Sequence, residues 1–206
     1  MNSFFKKTDS VITEIHHDGW NFTIPEGWWS RSYEYHWAVS QNRYGFDVAD
    51  MGAGGEYRPF KDLLSINSRT VAAIDMDPKI METPCLENVQ HYVCDFYKLD
   101  KVFQPEQFDQ IFCISVLEDL PGKTLALKIF KDLLTPEGEI ILTIDVKYDY
   151  DKPNAHYPGI YIGDFIDSVE NAGLEFTGPV DLSKDNVVYH DQFNLCVFHT
   201  KVRRKK

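Results

Sequence analysis

The chain has 206 residues, of which 43% are hydrophobic and 26% are charged. This usage is that of a globular domain with a real core, and it excludes a disordered chain, a collagen-like fibre and a small disulfide scaffold. The 21 Lys and Arg against 32 Asp and Glu give a net charge of −11, which opposes binding to nucleic-acid phosphates. We therefore predict one main domain and no nucleic-acid partner.

Cysteine usage and the apolar runs indicate the compartment. The four cysteines show neither CxxC spacing nor the Cys/His spacing of a zinc site. We expect reduced thiols, no metal ion and a cytoplasmic location, since the N-terminus lacks the apolar core of a signal peptide. No apolar run reaches the ~20 residues that a membrane-spanning helix needs.

Residues 1–44 form an aromatic-rich lead-in without a long periodic run. All four tryptophans of the chain fall in this lead-in. A short helix is predicted near 33–42. We expect the lead-in to cover the ligand site and residues 45–206 to form the main domain.

From residue 46 onward, apolar runs typical of strands alternate with segments of helical spacing. Strands are predicted at 46–53, 70–77, 89–96, 108–116 and 139–146, and then at 174–180 and 193–202. The alternation predicts an α/β fold with a doubly wound, mostly parallel, Rossmann-like sheet of seven strands and helices on both faces. The last two strands have no helix between them, so we expect an antiparallel strand at the sheet edge.

A glycine-rich turn, DMGAGG at 50–55, follows the first of these strands. Open parallel sheets bind ligands at the carboxyl ends of their strands, and glycines allow close approach of the backbone. About twenty residues later Asp75 ends the next strand, where a carboxylate accepts ribose hydroxyls. A dinucleotide is disfavoured because Tyr57 replaces the last fingerprint glycine and Glu56 would repel a pyrophosphate. The pattern predicts a site for a nucleoside without phosphates.

These residues resemble the motifs of class I S-adenosylmethionine-dependent methyltransferases over 46–146, about half of the chain. The family's third glycine would fall at Glu56, and its second pre-strand glycine at Glu139. The resemblance implies S-adenosyl-L-methionine as cofactor, with DMGAGG at its methionine part, Asp75 on the ribose and the 95–96 pair near adenine. The implied cofactor-binding residues are Asp50, Gly52, Ala53, Gly54, Asp75, Met76, Asp95, Phe96 and Ser115.

The lead-in contributes a further run, WWSRSYEY at 28–35. Arg31 suits bidentate recognition of the cofactor carboxylate, and Tyr33 offers a hydroxyl or a stacking surface. The run also resembles one in methyltransferases associated with surface-glycan synthesis.

The acceptor side has no single motif. A hydroxyl acceptor needs a general base, and Glu118, His156 and His190 lie in or beside loops where such a residue is expected. Asp145, at the end of a predicted strand, is either a substrate or base residue or a loop cap.

The sequence predicts a methyltransferase acting on a small molecule or a carbohydrate. A cofactor-binding or interaction protein on the same fold, without catalysis, stays open. So does an aminopropyl transferase, although that chemistry needs paired acids where this chain has Ile114-Ser115-Val116. The methylated atom and the oligomeric state are not predicted.

Overall fold

A computed structural model of the chain describes residues 1–17, 20–55, 59–149 and 159–206. The strands are β1 (Asn2–Phe4), β2 (Glu14–His17), β3 (Trp20–Thr23), β4 (Asp47–Met51), β5 (Thr70–Asp75), β6 (Val89–Val93), β7 (Phe108–Ile114), β8 (Leu134–Lys147), β9 (Leu174–Phe176), β10 (Val180–Asp181), β11 (Tyr189–His190) and β12 (Leu195–Arg204). The α-helices are α1 (Arg31–Gln41), α2 (Phe60–Ser65), α3 (Lys123–Leu133) and α4 (Ile162–Asn171).

The main sheet runs β10-β1-β12-β8-β7-β4-β5-β6, with β9 and β11 also paired to β12. Strands β4 to β8 are parallel to one another, and β12 is antiparallel to β8 and β9. This confirms the doubly wound, mostly parallel fold class and its antiparallel strand, β12. That strand is not at the edge of the sheet as predicted, because β1 and β10 lie outside it. The described sheet has ten strands rather than seven, because β1, β10 and β11 have two or three residues each and show no sequence periodicity.

Side chains of β7 alternate between two cores, one on each face of the sheet. Ile111 and Cys113 pack with the apolar residues of α3 and α4, whereas Phe112 and Ile114 pack with those of α1 and α2. The chain leaves β4 toward β5 on one side and returns to β7 on the other. The carboxyl ends of β4 and β7 therefore flank the switch point, where such sheets bind ligands.

The lead-in divides between two structures. Strand β1 pairs with β10 and β12 inside the main sheet, and β2 and β3 form a separate antiparallel hairpin. Helix α1 begins at Arg31, two residues before the predicted start. In the described part of the chain, every helix is too short or too polar to cross a bilayer.

His199, on β12, is a buried histidine whose protonation is linked to stability. It is 7% exposed and lies between the rings of Phe5 and Trp37, at centroid distances of 4.5 and 4.6 Å. Its Nε2 shares a 3.1 Å hydrogen bond with the Ser3 hydroxyl. Burial lowers the pKa of His199 from 6.5 to about 4, because the charged imidazolium loses its hydration.

We expect acid to destabilise the protein through His199. Between pH 6.5 and 4 the unfolded chain binds a proton that the folded state does not, so the free energy of unfolding falls by up to about 3 kcal/mol as the pH drops through this range. Urea unfolding at pH 7 and pH 5 measures the slope. His199→Gln should flatten it, and His36→Gln, on an exposed histidine, should not. An unchanged slope in His199→Gln contradicts the assignment.

Candidate functional site

The glycine turn after β4 is held against the end of β5. The backbone N–H groups of Gly52 and Ala53 donate to the Ile74 carbonyl at 2.8 and 3.1 Å. Gly52 has φ +82°, and a Cβ there would stand 2.5 Å from Cγ2 of Val116. Only glycine fits this position without strain. The turn therefore brings bare backbone to the switch point, as the sequence predicted.

The Asp75 carboxylate, at the end of β5, is hydrogen-bonded to the glycine turn. Its Oδ2 accepts the N–H of Gly54 at 2.8 Å, and its Oδ1 accepts that of Asp77 at 2.8 Å. A carboxylate has about four lone-pair sites, so each oxygen keeps capacity for a ribose hydroxyl. Met76, next to it, is 63% exposed, which leaves an apolar side chain uncovered where the resemblance places adenine.

The two other residues predicted near adenine, Asp95 and Phe96, have different surroundings in the structure. Asp95 caps a short 3₁₀ turn, and its carboxylate accepts the N–H of Tyr97 at 3.0 Å. Phe96 is 4% exposed and packs edge-on against Phe130, at 5.8 Å. Its ring thus lies in the core beneath α3, and its contact with a ligand stays a prediction.

Glu34, on α1, ties the lead-in to the carboxyl ends of β7 and β8. The side chain is fully buried, and its carboxylate accepts hydrogen bonds from Ser30 at 3.1 Å and from Thr143 at 2.7 Å. It also forms an ion pair with Arg31 and accepts the hydroxyl of Ser115. We call these five residues the Glu34 cluster.

Ser115 has an unusual backbone conformation within this cluster. Its φ is +47°, a region that non-glycine residues seldom adopt. The conformation is held by hydrogen bonds from its N–H to the carbonyl and hydroxyl of Thr143, at 3.0 and 3.1 Å. Strain of this kind, fixed by surrounding contacts, is typical of functional sites.

Beyond Ser115 a cavity of about 330 Å³ opens between α1 and the ends of β7 and β8. Its polar lining includes Arg31, Ser115, Glu118, Asp119 and Asp145. Arg31 and the glycine turn also line a second, much smaller cavity, together with Asp50 and Ala53. Arg31 therefore stands between the glycine turn and the larger cavity, which we call the acidic cavity.

Glu118 and Asp145 are the distinctive pair of the acidic cavity. Glu118 is 8% exposed, and its Oε1 accepts the backbone N–H of Asp145 at 3.1 Å. Its second oxygen, Oε2, and Oδ1 of Asp145 are buried without a hydrogen-bond partner. A buried carboxylate oxygen without a donor is costly, so each of these atoms points to a ligand or solvent donor.

Burial shifts both acids toward their protonated forms. It raises the pKa of Glu118 well above its usual value, and the neighbouring Asp145 carboxylate raises it further. Burial also raises the pKa of Asp145 to about 7, with Glu34 adding to the shift and Arg31 opposing it. Two adjacent carboxyls ionise as a pair, so the pair retains a proton near neutral pH.

The other predicted residues are placed as follows. His190 stacks on Phe193 at 4.2 Å and meets Trp29 edge-on at 5.2 Å, so it lies behind two residues of the cavity wall. Tyr33 packs against Phe5 in a separate apolar cluster. His156 lies outside the described residues. Their predicted roles stay predictions.

The cofactor implied by the resemblance fits these residues. The Gly52 turn is a cradle that a Cβ would fill, and Asp75 has free acceptor capacity across from it. Arg31 carries five N–H donors, which leaves several beyond its pairing with Glu34 for a carboxylate. The acidic cavity next to Ser115 suits a cationic sulfonium.

Part of the chain is similar to known methyltransferase domains. Residues 64–159 match the family described as "Methyltransferase domain". A ubiquinone biosynthesis O-methyltransferase of Xanthomonas euvesicatoria is 28% identical over 104 residues, 48% of this chain and 43% of that relative. A tRNA U34 carboxymethyltransferase of Nautilia profundicola is 33% identical over 102 residues, 47% of this chain and 33% of the relative. The chain thus spans less than half the length of these curated relatives.

Solved structures share the fold at low identity. The [4+2]-cyclase SpnF has a TM-score of 0.67 at 14% identity, covering 86% of this chain and 83% of its own. A Burkholderia thailandensis 1,6-didemethyltoxoflavin-N1-methyltransferase with bound S-adenosylhomocysteine has a TM-score of 0.61 at 19% identity, covering 88% and 82%. Residues 64–159 thus match a methyltransferase domain, and the chain shares the fold of solved methyltransferases, one of which holds S-adenosylhomocysteine. The Gly52–Asp75 cradle fits S-adenosyl-L-methionine, the cofactor that the sequence resemblance implies.

Proposed function

We propose that this chain transfers the methyl group of S-adenosylmethionine to a small-molecule or carbohydrate acceptor that binds in the acidic cavity. The observation that carries the proposal is the buried pair of unpartnered oxygens, Glu118 Oε2 and Asp145 Oδ1, in a cavity next to Ser115. S-Adenosylmethionine supplies the methyl group when bound. The chain supplies orientation and a proton acceptor.

The cofactor-binding roles proposed here follow the placement of each residue. Residues 50–54 hold the methionine part, and Asp75 holds the ribose. Arg31 pairs with the cofactor carboxylate between the two cavities. The Glu34 cluster fixes Arg31 and Ser115 so that donor and acceptor meet in line, which is the main demand of a displacement at carbon.

The volume and charge of the acidic cavity favour a small acceptor. About 330 Å³ is at the lower end of the range for small-molecule sites. The acids that line it oppose phosphate groups, as does the net charge of −11. The tRNA-modifying relative therefore does not lead us to propose an RNA substrate.

One alternative gains support from a specific observation. Paired acids, absent from the 114–116 stretch, are provided by Glu118 and by Asp145 of the neighbouring strand. An aminopropyl transfer would use such acids to bind an amine. Arg31, placed for a cofactor carboxylate, favours methyl transfer instead, because the aminopropyl donor lacks that carboxylate.

Asp75→Ala should weaken S-adenosylmethionine binding by about 1.5–3 kcal/mol, the value of a hydrogen bond to a charged group. Isothermal titration calorimetry with S-adenosylmethionine and S-adenosylhomocysteine measures it. Asp132→Ala, which removes an exposed acid of α3, is the matched control and should bind normally. Equal affinity of both variants would reject the ribose assignment, and no binding by the unaltered protein would reject the proposed function.

A further inference from the structure

The acidic cavity also restricts the chemistry of the acceptor. Among the described residues that line it, Arg31 is the one cation. Its guanidinium is paired with Glu34, and in the proposed function its remaining donors bind the cofactor carboxylate. Glu118, Asp119 and Asp145 face the same space. No unpaired positive group in this part of the chain meets an anionic acceptor, so carboxylate or phosphate acceptors are opposed.

The walls of the cavity suit a cation. Trp28, Trp29 and Phe193 form its aromatic lining. Aromatic faces attract ammonium groups, most strongly when both are shielded from water. The two unpartnered oxygens, on Glu118 and Asp145, are acceptors that need N–H or O–H donors. An ammonium group carries three donors and satisfies both oxygens at once.

From this geometry we infer that the acceptor presents an amino group to the Glu118–Asp145 pair and that nitrogen is the atom methylated. The inference rests on the proposed function, since it names the substrate class of the same site. The amine enters as an ammonium ion. One N–H proton passes to the carboxylate pair, the freed lone pair attacks the methyl carbon, and the C–S bond breaks with its electrons left on sulfur. The products are a methylated ammonium ion and S-adenosylhomocysteine.

Proton affinities separate an amine from a hydroxyl acceptor. The pKa of Asp145, about 7, is roughly one to three units below the pKa values of amino groups, which are about 8–10. A hydroxyl group with a pKa like that of water, about 15.7, is too weak an acid for the Asp145 carboxylate to deprotonate. A phenol ionises near 10 but becomes an anion, which the surrounding carboxylates oppose, whereas the amine becomes neutral.

The test compares ligands of one shape and different charge. Cyclohexylamine, cyclohexanol, phenol and cyclohexanecarboxylate are titrated calorimetrically into the protein, with and without S-adenosylhomocysteine. We expect cyclohexylamine to bind at least tenfold more tightly than the other three. In Asp145→Asn and in Glu118→Gln this preference should fall by at least tenfold, and in Asp167→Asn, on an exposed acid of α4, it should persist.

The outcomes are distinguishable. Equal or tighter binding of cyclohexanol, phenol or the carboxylate overturns the amine inference, whatever S-adenosylhomocysteine does. A preference for the amine that survives both cavity substitutions overturns it as well. Failure of S-adenosylhomocysteine to bind overturns the proposed function instead, and with it the acceptor role of the amine.

Discussion

Glu34→Gln is expected to lower the free energy of unfolding by about 3–5 kcal/mol, the cost of breaking a buried ion pair by removing one partner. The carboxylate is fully buried and accepts from Ser30 and Thr143 as well as pairing with Arg31. The glutamine side chain keeps the shape of the glutamate but leaves the Arg31 guanidinium, only 16% exposed, without a counter-charge. Urea unfolding at pH 7 measures the loss.

A second substitution separates charge from packing. Arg31→Met in the Glu34→Gln background removes the stranded cation and should restore much of the lost stability, while S-adenosylmethionine binding stays weak because the proposed carboxylate ligand is gone. Glu170→Gln, on an exposed acid of α4, should change stability by less than about 0.5 kcal/mol. If Glu34→Gln and Glu170→Gln were equally stable, the Glu34 cluster would not hold α1 in place.

Much of the sheet follows from local sequence pattern. The starts of β4, β5, β6 and β7 lie within one residue of prediction, because each is a buried apolar run bounded by turn residues. Strand β8 begins at Leu134 rather than after the predicted 136–138 turn, and its pairing with β7 is irregular near Phe108. That irregularity depends on the partner strand, which local periodicity does not report.

The Glu34 cluster shows where sequence reasoning stops. Ser30 and Arg31 are four and three residues from Glu34, which is helix-neighbour spacing that a sequence displays. Ser115 and Thr143 lie 81 and 109 residues away. No local signal joins them, so the pairing required the folded sheet.

The acceptor side depends on desolvation, which a sequence does not show. Loop positions predict Glu118, His156 and His190 as candidates and leave Asp145 open between a substrate or base residue and a loop cap. Folding raises the pKa of Asp145 to about 7 through burial and the nearby Glu34. That shift depends on contacts between distant parts of the chain, so the residue type alone does not predict it.

Asp145→Asn is therefore expected to have opposite effects on turnover and stability. Methyl transfer should fall by about 10²–10⁴-fold, the usual contribution of a general base, and labelled methyl from S-adenosylmethionine measures it with an amine acceptor. Stability at pH 8 should rise by up to about 4 kcal/mol, since the asparagine is never ionised.

The sign of the stability change follows from the raised pKa of Asp145. Between pH 4 and 7 the folded protein holds a proton that the unfolded chain has released, so the native state weakens as the pH rises and the whole cost is present above pH 7. Glu118, Glu34 and Asp119 add negative charge around the Asp145 carboxyl, and Arg31 opposes them.

The stability advantage of Asp145→Asn over the unaltered protein should thus be large at pH 8 and nearly gone at pH 4. Asp167→Asn gives no such difference, and an advantage of equal size at both pH values would show that Asp145 is not held in a proton-binding environment.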